Sequence, residues 1–532
     1  MQRLPSTASR RTVLSTVAAA PVVGSLAGTA AARTDPEPTI EPAAELELDG
    51  VAEVVVDDDG STVYCSLTDG FGVVDASDPS NPEVLYEERG MEHDGDGPMD
   101  DIMDVKVSGD RLAVAGPNAG FGSDFSGVFL YDVSDPASPE RVAFEPTGHG
   151  IHNCSLDGDR LYLTGTGLSG SPAMIYDVSD DDPEKVGEWS AADADDAWAD
   201  VSRNYAQCHD LYGRDDTLYV AYWDAGTWVV DVSDPANPTA RTHVGGHDPA
   251  YLESLGRNPT PEFFELPGNS HYVQPNGDAS VLFVGKEAWN REDTETDGGP
   301  GGIELWDGAE DPTLRTVLRP PQPSPEIDGS GWTSHNFGVD GDRLYTSWYG
   351  GGVRVFDVSD LGSPQLLGEW RDPSSTSFWS ATPLEEGFVA GSYQNPSNSR
   401  EQRQNGAGAK LYVFPEPDGE NAKDARTMER RAFPEPEDAG GGAPETTTTT
   451  TADTTTAPAT TTAPPTTTAT GGTTATTGDG TTAGGDTTPD EGSGDDGGDG
   501  DSDAGGQPGF GALTALVGGG LGLWRYANGD EE

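Results

Sequence analysis

Histidines at a regular spacing are the feature of this 532-residue chain that most directly indicates chemistry. His152, His209 and His335 each lie nine residues before a leucine within an apolar run, and His271 lies eleven residues before one. Neutral imidazole is a good ligand for zinc, copper, iron and nickel ions. A fold that aligned these four positions would therefore create a four-histidine metal site, with copper or zinc as the candidate ion.

The same spacing has a second interpretation that needs no metal. An imidazole at a repeated position can form a hydrogen bond with the backbone or a carboxylate of the neighbouring repeat. Sulfur atoms of Met103, Cys154 and Cys208 near these positions would favour copper. The chain has three cysteines, an odd number, and we expect them to be buried free thiols. Spacing alone leaves the structural and the metal-binding interpretations open.

Aromatic residues in the predicted loops indicate a possible ligand face. The candidates are Trp223, Trp289, Trp348 and Tyr349. Exposed rings with Asp and Asn nearby would make a platform for a carbohydrate or a peptide, whereas rings packed inside the fold would not. No Gly-rich phosphate loop and no Gly-x-Ser-x-Gly nucleophile motif occurs, so the catalytic residues, if any, are unknown.

An internal repeat must position these side chains. An apolar run leads into an Asp-Val-Ser-Asp-Pro type of turn in six copies, and a degenerate seventh copy occupies residues 410–417. The first aspartate of each full copy is at position 75, 132, 177, 231, 307 or 357. Asp and Ser form local turns with their own backbone, and Pro keeps the following chain extended. We therefore interpret these aspartates as structural residues and not as calcium ligands.

Further short apolar runs before and after each copy predict four antiparallel strands per repeat, which is typical of a β-propeller blade. The fold class is therefore all-β, a seven-bladed β-propeller, with six or eight blades as alternatives. Blade seven lacks a fourth strand, and we expect the run Glu45–Leu48 to supply it and close the ring. The four histidines would then begin the innermost strands of blades three to six, at the channel mouth. Val54, Met103 and Trp379 would hold the equivalent positions of the other blades.

The repeat resembles the LVIVD repeat of bacterial and archaeal surface proteins over residues 45–417 of a domain spanning 33–440. The resemblance implies a propeller outside the cell and no particular chemistry, because a fold does not define a function.

Both ends of the chain have the composition of targeting segments. Residues 1–32 contain Arg10 and Arg11 before an uncharged run, which resembles a twin-arginine export signal; a plain secretory signal is the alternative. Residues 441–507 form a Thr/Gly/Asp-rich stalk, predicted to be disordered. Residues 508–532 begin with Pro508, Gly509 and Phe510 and resemble the archaeal PGF-CTERM sorting signal, which implies an archaeosortase-like processing enzyme and a membrane or lipid anchor. A plain disordered tail is the alternative.

The charge of the chain excludes one class of partner and indicates a solvent. The formal net charge is −64, and residues 33–440 hold 79 acidic against 25 basic residues. Such a surface lacks the basic face that nucleic-acid binding needs. It fits a folded protein in concentrated salt, as in haloarchaea. We therefore predict a monomeric, surface-tethered module that binds an extracellular glycan or protein; the alternative is a metal-dependent oxidoreductase or hydrolase at the four-histidine site, with copper as one candidate ion.

Overall fold

Seven antiparallel sheets follow one another along the chain in the computed structural model, which describes residues 38–118, 125–257, 265–288, 301–321, 332–399, 402 and 405–427. The innermost strand of each sheet packs against that of the next, and the last packs against the first. The chain is therefore a seven-bladed β-propeller, as predicted. The predicted signal with Arg10 and Arg11, the stalk, and the sorting motif with Pro508, Gly509 and Phe510 lie outside the described residues.

Each blade takes its strands in chain order from the channel outward. The first strand of the chain is β1 (Ala44–Glu47). Blade one contains β2 (Val51–Val56), β3 (Thr62–Leu67), β4 (Gly70–Asp75) and β5 (Glu83–Arg89). Blade two contains β6 (Asp104–Ser108), β7 (Arg111–Gly116), β8 (Gly127–Asp132) and β9 (Glu140–Pro146). Blade three contains β10 (Cys154–Asp157), β11 (Arg160–Thr164), β12 (Ala173–Asp177) and β13 (Glu184–Trp189).

The remaining blades follow the same order. Blade four contains β14 (Asp210–Arg214), β15 (Thr217–Ala221), β16 (Thr227–Asp231) and β17 (Thr239–Val244). Blade five contains β18 (Ser270–Pro275), β19 (Val281–Lys286), β20 (Ile303–Asp307) and β21 (Thr313–Leu318). Blade six contains β22 (Phe337–Asp340), β23 (Arg343–Ser347), β24 (Val353–Asp357) and β25 (Gln365–Trp370), and blade seven contains β26 (Phe378–Leu384), β27 (Gly387–Ser392) and β28 (Lys410–Phe414).

The first strand of the chain closes the ring. β1 pairs with β28 in antiparallel register, with Ala44 opposite Val413 and Glu47 opposite Lys410. The pairing confirms the predicted closure and covers the edge that β28 would otherwise expose. A two-residue strand, β29 (Lys423–Asp424), pairs with β25 and adds a fifth strand to blade six, which the sequence did not predict.

Burial explains why the middle strands are apolar and the outer strands are charged. β4 is buried along nearly its whole length because each face packs on a neighbouring blade, whereas β5 is partly exposed. The repeated aspartates end the third strands. In five of them, Asp75, Asp132, Asp177, Asp231 and Asp357, the side chain accepts a hydrogen bond from the backbone N–H two residues later. Asp75 accepts from Ser77 at 2.9 Å and Asp231 from Ser233 at 3.0 Å. These turns confirm the structural interpretation of the repeat.

Among the described residues, helical structure is limited to short segments outside the sheets. α1 (Ala191–Ala194) is followed by a 3₁₀ turn, Asp196–Asp200, and α2 (Pro249–Leu255) begins after Asp248, whose side chain accepts from the Ala250 N–H at 2.9 Å. A second 3₁₀ turn, Ala425–Thr427, follows β29. Among the helices that the structure describes, none is long and apolar enough to cross a bilayer.

Candidate metal centre at the channel mouth

The four predicted histidines lie in one row at the starts of the inner strands of blades three to six, the end of the ring that we call the channel mouth. The ring centroids of His152 and His209 are 4.1 Å apart, those of His209 and His271 are 4.3 Å apart, and those of His271 and His335 are 4.4 Å apart. Their exposed fractions are 7%, 0%, 1% and 2% in chain order. The inner strands of four successive blades therefore bring together side chains that are up to 183 residues apart in the sequence.

The row continues into the other blades with apolar side chains. The Trp379 ring lies 4.0 Å from that of His335, and Met103 and Ala52 belong to the same buried cluster. The expectation that Val54 holds the equivalent position in blade one is wrong, because Val54 packs in a different cluster. A register shift between Val51 and Val54 in β2 accounts for the offset.

The Nδ1 atoms of two of these imidazoles contact the backbone of the next blade. His209 Nδ1 lies 3.2 Å from the carbonyl oxygen of His271, and His335 Nδ1 lies 2.5 Å from that of Trp379. Because a carbonyl oxygen only accepts, these Nδ1 atoms must carry the proton. The structural role that the sequence left open is therefore present, and it leaves Nε2 of both rings with a free lone pair.

The Nε2 atoms of His209, His271 and His335 are buried and have no hydrogen-bond partner within the part of the chain that the structure describes. Leaving such a group unsatisfied costs about 1–3 kcal/mol. Burial lowers the pKa of His152 to about 3, and it lowers the pKa values of His209 and His335 well below 6.5. These three imidazoles are therefore neutral at pH 7, which is the form that binds metal.

Glu287 completes a group of ligand atoms that the sequence did not indicate. Donor atoms of His209, His271 and Glu287 all lie within 4.8 Å of one another. His271 Nδ1 is 3.0 Å from Glu287 Oε2, and both side chains are 2% exposed. Tyr349 donates its hydroxyl hydrogen bond to the other carboxylate oxygen, Oε1, and so holds the orientation of Glu287.

Glu287 has a structural position that the sequence could have revealed. Gly285 is the last paired residue of β19 opposite the start of β20, and Glu287 lies two residues beyond it. Trp223 and Tyr349 lie at the same distance beyond the paired ends of β15 and β23. Glu287 therefore holds in blade five the position that Trp223 and Tyr349 hold in blades four and six. That shared position is a sequence signal for its place beside the histidine row.

The proposed aromatic platform is not exposed. Trp223, Trp348 and Tyr349 are 4%, 0% and 3% exposed, so the expectation that these rings present a surface to a ligand is wrong. Trp289 lies outside the described residues.

Two of these aromatic residues instead cover the histidines. The ring of Trp223 is 5.5 Å from that of His209, and the ring of Tyr349 is 4.9 Å from that of His335. Their φ angles are 43° and 46°, in the left-handed region that bulky residues rarely adopt. Two backbone hydrogen bonds to the next blade hold each of them there, to Ser270 and to Phe378. Strained backbone of this kind concentrates at functional sites.

Sulfur does not contribute to the group of ligand atoms. Cys65, Cys154 and Cys208 are free and buried, as predicted. Burial raises the pKa of the Cys154 and Cys208 thiols well above 9, which disfavours the thiolate that binds metal. Across the described ranges, the three-residue group contains nitrogen and oxygen donors and no cysteine.

A second polar layer occupies the centre of the ring. Asn336 of blade six donates through Nδ2 to Glu53 Oε2 of blade one at 3.1 Å, although blade seven separates these two blades. Such a contact is possible only at the axis. Lys106 of blade two contacts the carboxylates of Glu53, at 3.3 Å, and of Asp104.

Burial perturbs the charges of this layer strongly. It raises the pKa of Glu53 to about 7 against the opposing effect of Lys106. It also raises the pKa of Asp210 in blade four well above its usual range. Burial alone would lower the pKa of Lys106, but the carboxylates of Asp104 and Glu53 hold it well above 10.5. Lys106 therefore remains charged throughout the neutral range.

The fold and this channel define the class of protein: a repeat-built seven-bladed propeller with buried imidazoles at the mouth and buried charges along the axis. The family model of the LVIVD repeat matches residues 214–244, which span blade four from the end of β14 to the end of β17. This match and the fold support an LVIVD-repeat propeller, which is consistent with a binding module.

The chain also resembles solved propellers, at a distance. The crystal structure of the Myceliophteria thermophila Cps50 (Swd1) β-propeller domain is 10% identical, with a TM-score of 0.47. The match covers 70% of this chain and 99% of that one. No curated protein matches this chain.

Proposed function

We propose that the channel mouth binds a transition-metal ion through His209, His271 and Glu287, with His335 beside them. The observation that supports the proposal is the set of three buried imidazoles whose Nε2 atoms have no hydrogen-bond partner in the described residues; in His271 neither ring nitrogen has one. A metal ion would satisfy these nitrogens, whereas burial opposes protonation of His209 and His335.

The donor set favours zinc or iron(II) over copper. Two imidazoles and one carboxylate are a common set for catalytic zinc and for non-haem iron(II), and both leave coordination positions open. Two donors at about 2.0–2.1 Å from one ion lie roughly 3 Å apart. His271 Nδ1 and Glu287 Oε2 have that separation, 3.0 Å, without hydrogen-bond geometry. An open position would let the ion bind and activate a small ligand, which supports a metal-dependent oxidoreductase or hydrolase.

Metal analysis of the full chain tests this proposal. After chelation and reconstitution with zinc or iron(II), we expect about one ion per chain by mass spectrometry of the dialysed protein, because one three-residue group is present. His271→Ala and Glu287→Gln should each lower the affinity at least tenfold. His93→Ala is the matched control, since the His93 side chain is half-exposed in the loop between β5 and β6, outside the histidine row, and the change should not affect metal binding. Fewer than 0.1 ions per reconstituted chain, or equal retention by His271→Ala, would contradict the proposal.

Export and tethering belong to the same proposal. The Arg10–Arg11 signal, the Thr-rich stalk and the Pro508–Phe510 motif are mutually consistent sequence features of a protein anchored outside the cell. The acidic composition supports a high-salt environment. The propeller would therefore work at the cell surface.

A second candidate function is the binding of an extracellular partner, and the observation that supports it is a cleft beside blade one. It has a volume of about 930 Å³ and lies where β1 and the loops of blade one meet. Its acidic lining consists of Glu47, Asp49, Asp69, Glu87, Asp100 and Asp101. Arg89 neutralises part of this charge through Asp69 and Glu87. The remaining charge favours a protein with a basic segment over a neutral glycan.

Calorimetric titration distinguishes the two partners. We expect the full chain to bind a basic peptide and not a neutral oligosaccharide, and we expect Asp49→Asn with Asp100→Asn to weaken peptide binding several-fold. Asp58→Asn with Asp59→Asn changes the charge equally at exposed positions away from the cleft and is the control. Equal weakening by both pairs would show that only overall charge matters and would remove the cleft from the proposal.

A further inference from the structure

The centre of the ring holds more buried negative charge than its lysine neutralises. Glu53, Asp104 and Asp210 come from blades one, two and four, and all three are buried. Lys106 is the cation that contacts this group. Three carboxylates and one ammonium carry a formal charge of −2. Uncompensated charge in a protein interior is costly, so this layer needs a further positive charge or bound protons.

The Lys106 ammonium does not satisfy every carboxylate oxygen of the layer, because Asp210 Oδ2 lacks a partner. Its ammonium contacts Asp104 Oδ1 and Glu53 Oε1. Asp210 Oδ1 accepts the adjacent Leu211 N–H at 2.6 Å, but Asp210 Oδ2 is buried without a hydrogen-bond partner in the described part of the chain.

Asn336 presents a second free oxygen to the same layer. Its Nδ2 donates to Glu53 at 3.1 Å, which turns the amide toward the axis. Its Oδ1 is buried and, like Asp210 Oδ2, has no partner among the residues that the structure describes. Two unsatisfied oxygen acceptors from blades four and six thus accompany an excess of two negative charges.

We propose that this layer binds one hard divalent cation, of which Ca²⁺ is the representative, through Asp210 Oδ2, Asn336 Oδ1 and the carboxylate of Glu53, which Asn336 contacts. Ca²⁺ takes six to eight oxygen ligands in flexible geometry and accepts both carboxylate and amide oxygens. One divalent ion balances the formal charge of the layer.

This site differs in chemistry from the metal centre at the mouth. The mouth offers imidazole nitrogens, which suit zinc or iron, whereas the inner layer offers oxygens, which suit Ca²⁺. The two lie close together, because His209 and Asp210 are consecutive and Asn153 donates to the His209 carbonyl oxygen at 2.9 Å. The inner site does not depend on the mouth binding an ion.

Equilibrium dialysis with radioactive Ca²⁺ tests the proposal on the chelated full chain at constant molar KCl. We expect one Ca²⁺ per chain, a Ca²⁺-dependent rise in melting temperature, and at least a tenfold lower affinity in Asp210→Asn. Asp215→Asn is the matched control in the same blade, because the Asp215 side chain is exposed and asparagine tolerates its positive φ of 50°. His209→Ala should retain the Ca²⁺, which separates this site from the mouth.

Two results would overturn the inference. One is the absence of bound Ca²⁺ in the wild-type chain, which would mean that protons balance the charge. The other is unchanged binding in Asp210→Asn. If Asp210→Asn does not fold by circular dichroism, Asn336→Ala replaces it, since that variant removes the second free oxygen and leaves the total charge intact. Unchanged binding in Asn336→Ala would equally count against the site.

Discussion

Replacing Lys106 by methionine is expected to lower the free energy of unfolding by about 3–5 kcal/mol, because it leaves the buried carboxylates of Glu53 and Asp104 without their counter-ion. Methionine keeps the length of the side chain, so the cavity contribution is small. Chemical denaturation of the chelated protein at pH 8 in molar KCl measures the loss. A loss below about 1 kcal/mol would show that the lysine is not the main compensation for these charges.

Lys185→Met is the control, because Lys185 also contacts a carboxylate but at the surface. Its ammonium is 2.6 Å from Glu188, with the two side chains 40% and 56% exposed. Exposed pairs contribute about 0–1 kcal/mol, so this variant should be nearly as stable as wild type.

The loss in Lys106→Met should also depend on pH in a defined direction. Burial raises the folded-state pKa of Glu53 to about 7, above its usual value of 4.5, so folding favours its protonated form. Stability from this group is therefore greatest at acidic pH and falls as the pH rises from about 4.5 through 7. Protonated Glu53 needs no counter-ion, so the loss in Lys106→Met should be smaller at pH 5 than at pH 8.

The fold could be predicted from sequence because its signals are local. Five of the six repeated aspartates fix the end of a third strand by accepting a hydrogen bond from the residue two positions later, as Asp177 does from Ser179. Together with the degenerate seventh copy, the repeats therefore count the blades. The closure by β1 followed from the missing fourth strand in blade seven. β29 was not predictable, because two residues carry no periodic pattern. The strand exists only through its pairing with β25, which is distant in the sequence.

The site could be predicted only in part, because its members depend on register and loop direction. The histidines were found because three of them lie nine residues, and His271 eleven residues, before a leucine of the second strand in consecutive blades. Glu287 was not, because its place two residues past the second strand is a signal only once the strand ends are known, and the chain has 93 acidic residues. The aromatic loops were expected at the surface, but left-handed turns at Trp223 and Tyr349 bend them onto the next blade.

Removing salt is expected to unfold or loosen the propeller. Residues 33–440 carry 79 acidic and 25 basic residues, and several of the cations are already paired, as Arg241 is with Asp231 at 2.6 Å. Two like charges 10 Å apart in water repel by about 0.4 kcal/mol without screening. Summed over dozens of excess charges, this repulsion exceeds the roughly 5–15 kcal/mol by which proteins are stable.

Salt opposes this repulsion by screening, since the Debye length falls from about 10 Å at 0.1 M to about 3 Å at 1 M. The melting temperature, followed by circular dichroism in KCl from 10 mM to 2 M, should therefore rise steeply. Sucrose is the control, because it stabilises by exclusion from the surface without screening charge, and it should not restore the fold in dilute buffer. Restoration of the fold by sucrose, or a melting temperature independent of KCl, would contradict this prediction. It would mean that the acidic side chains lie far enough apart for their repulsion not to destabilise the fold. The acidity would then be a property of the surface that carries no requirement for salt.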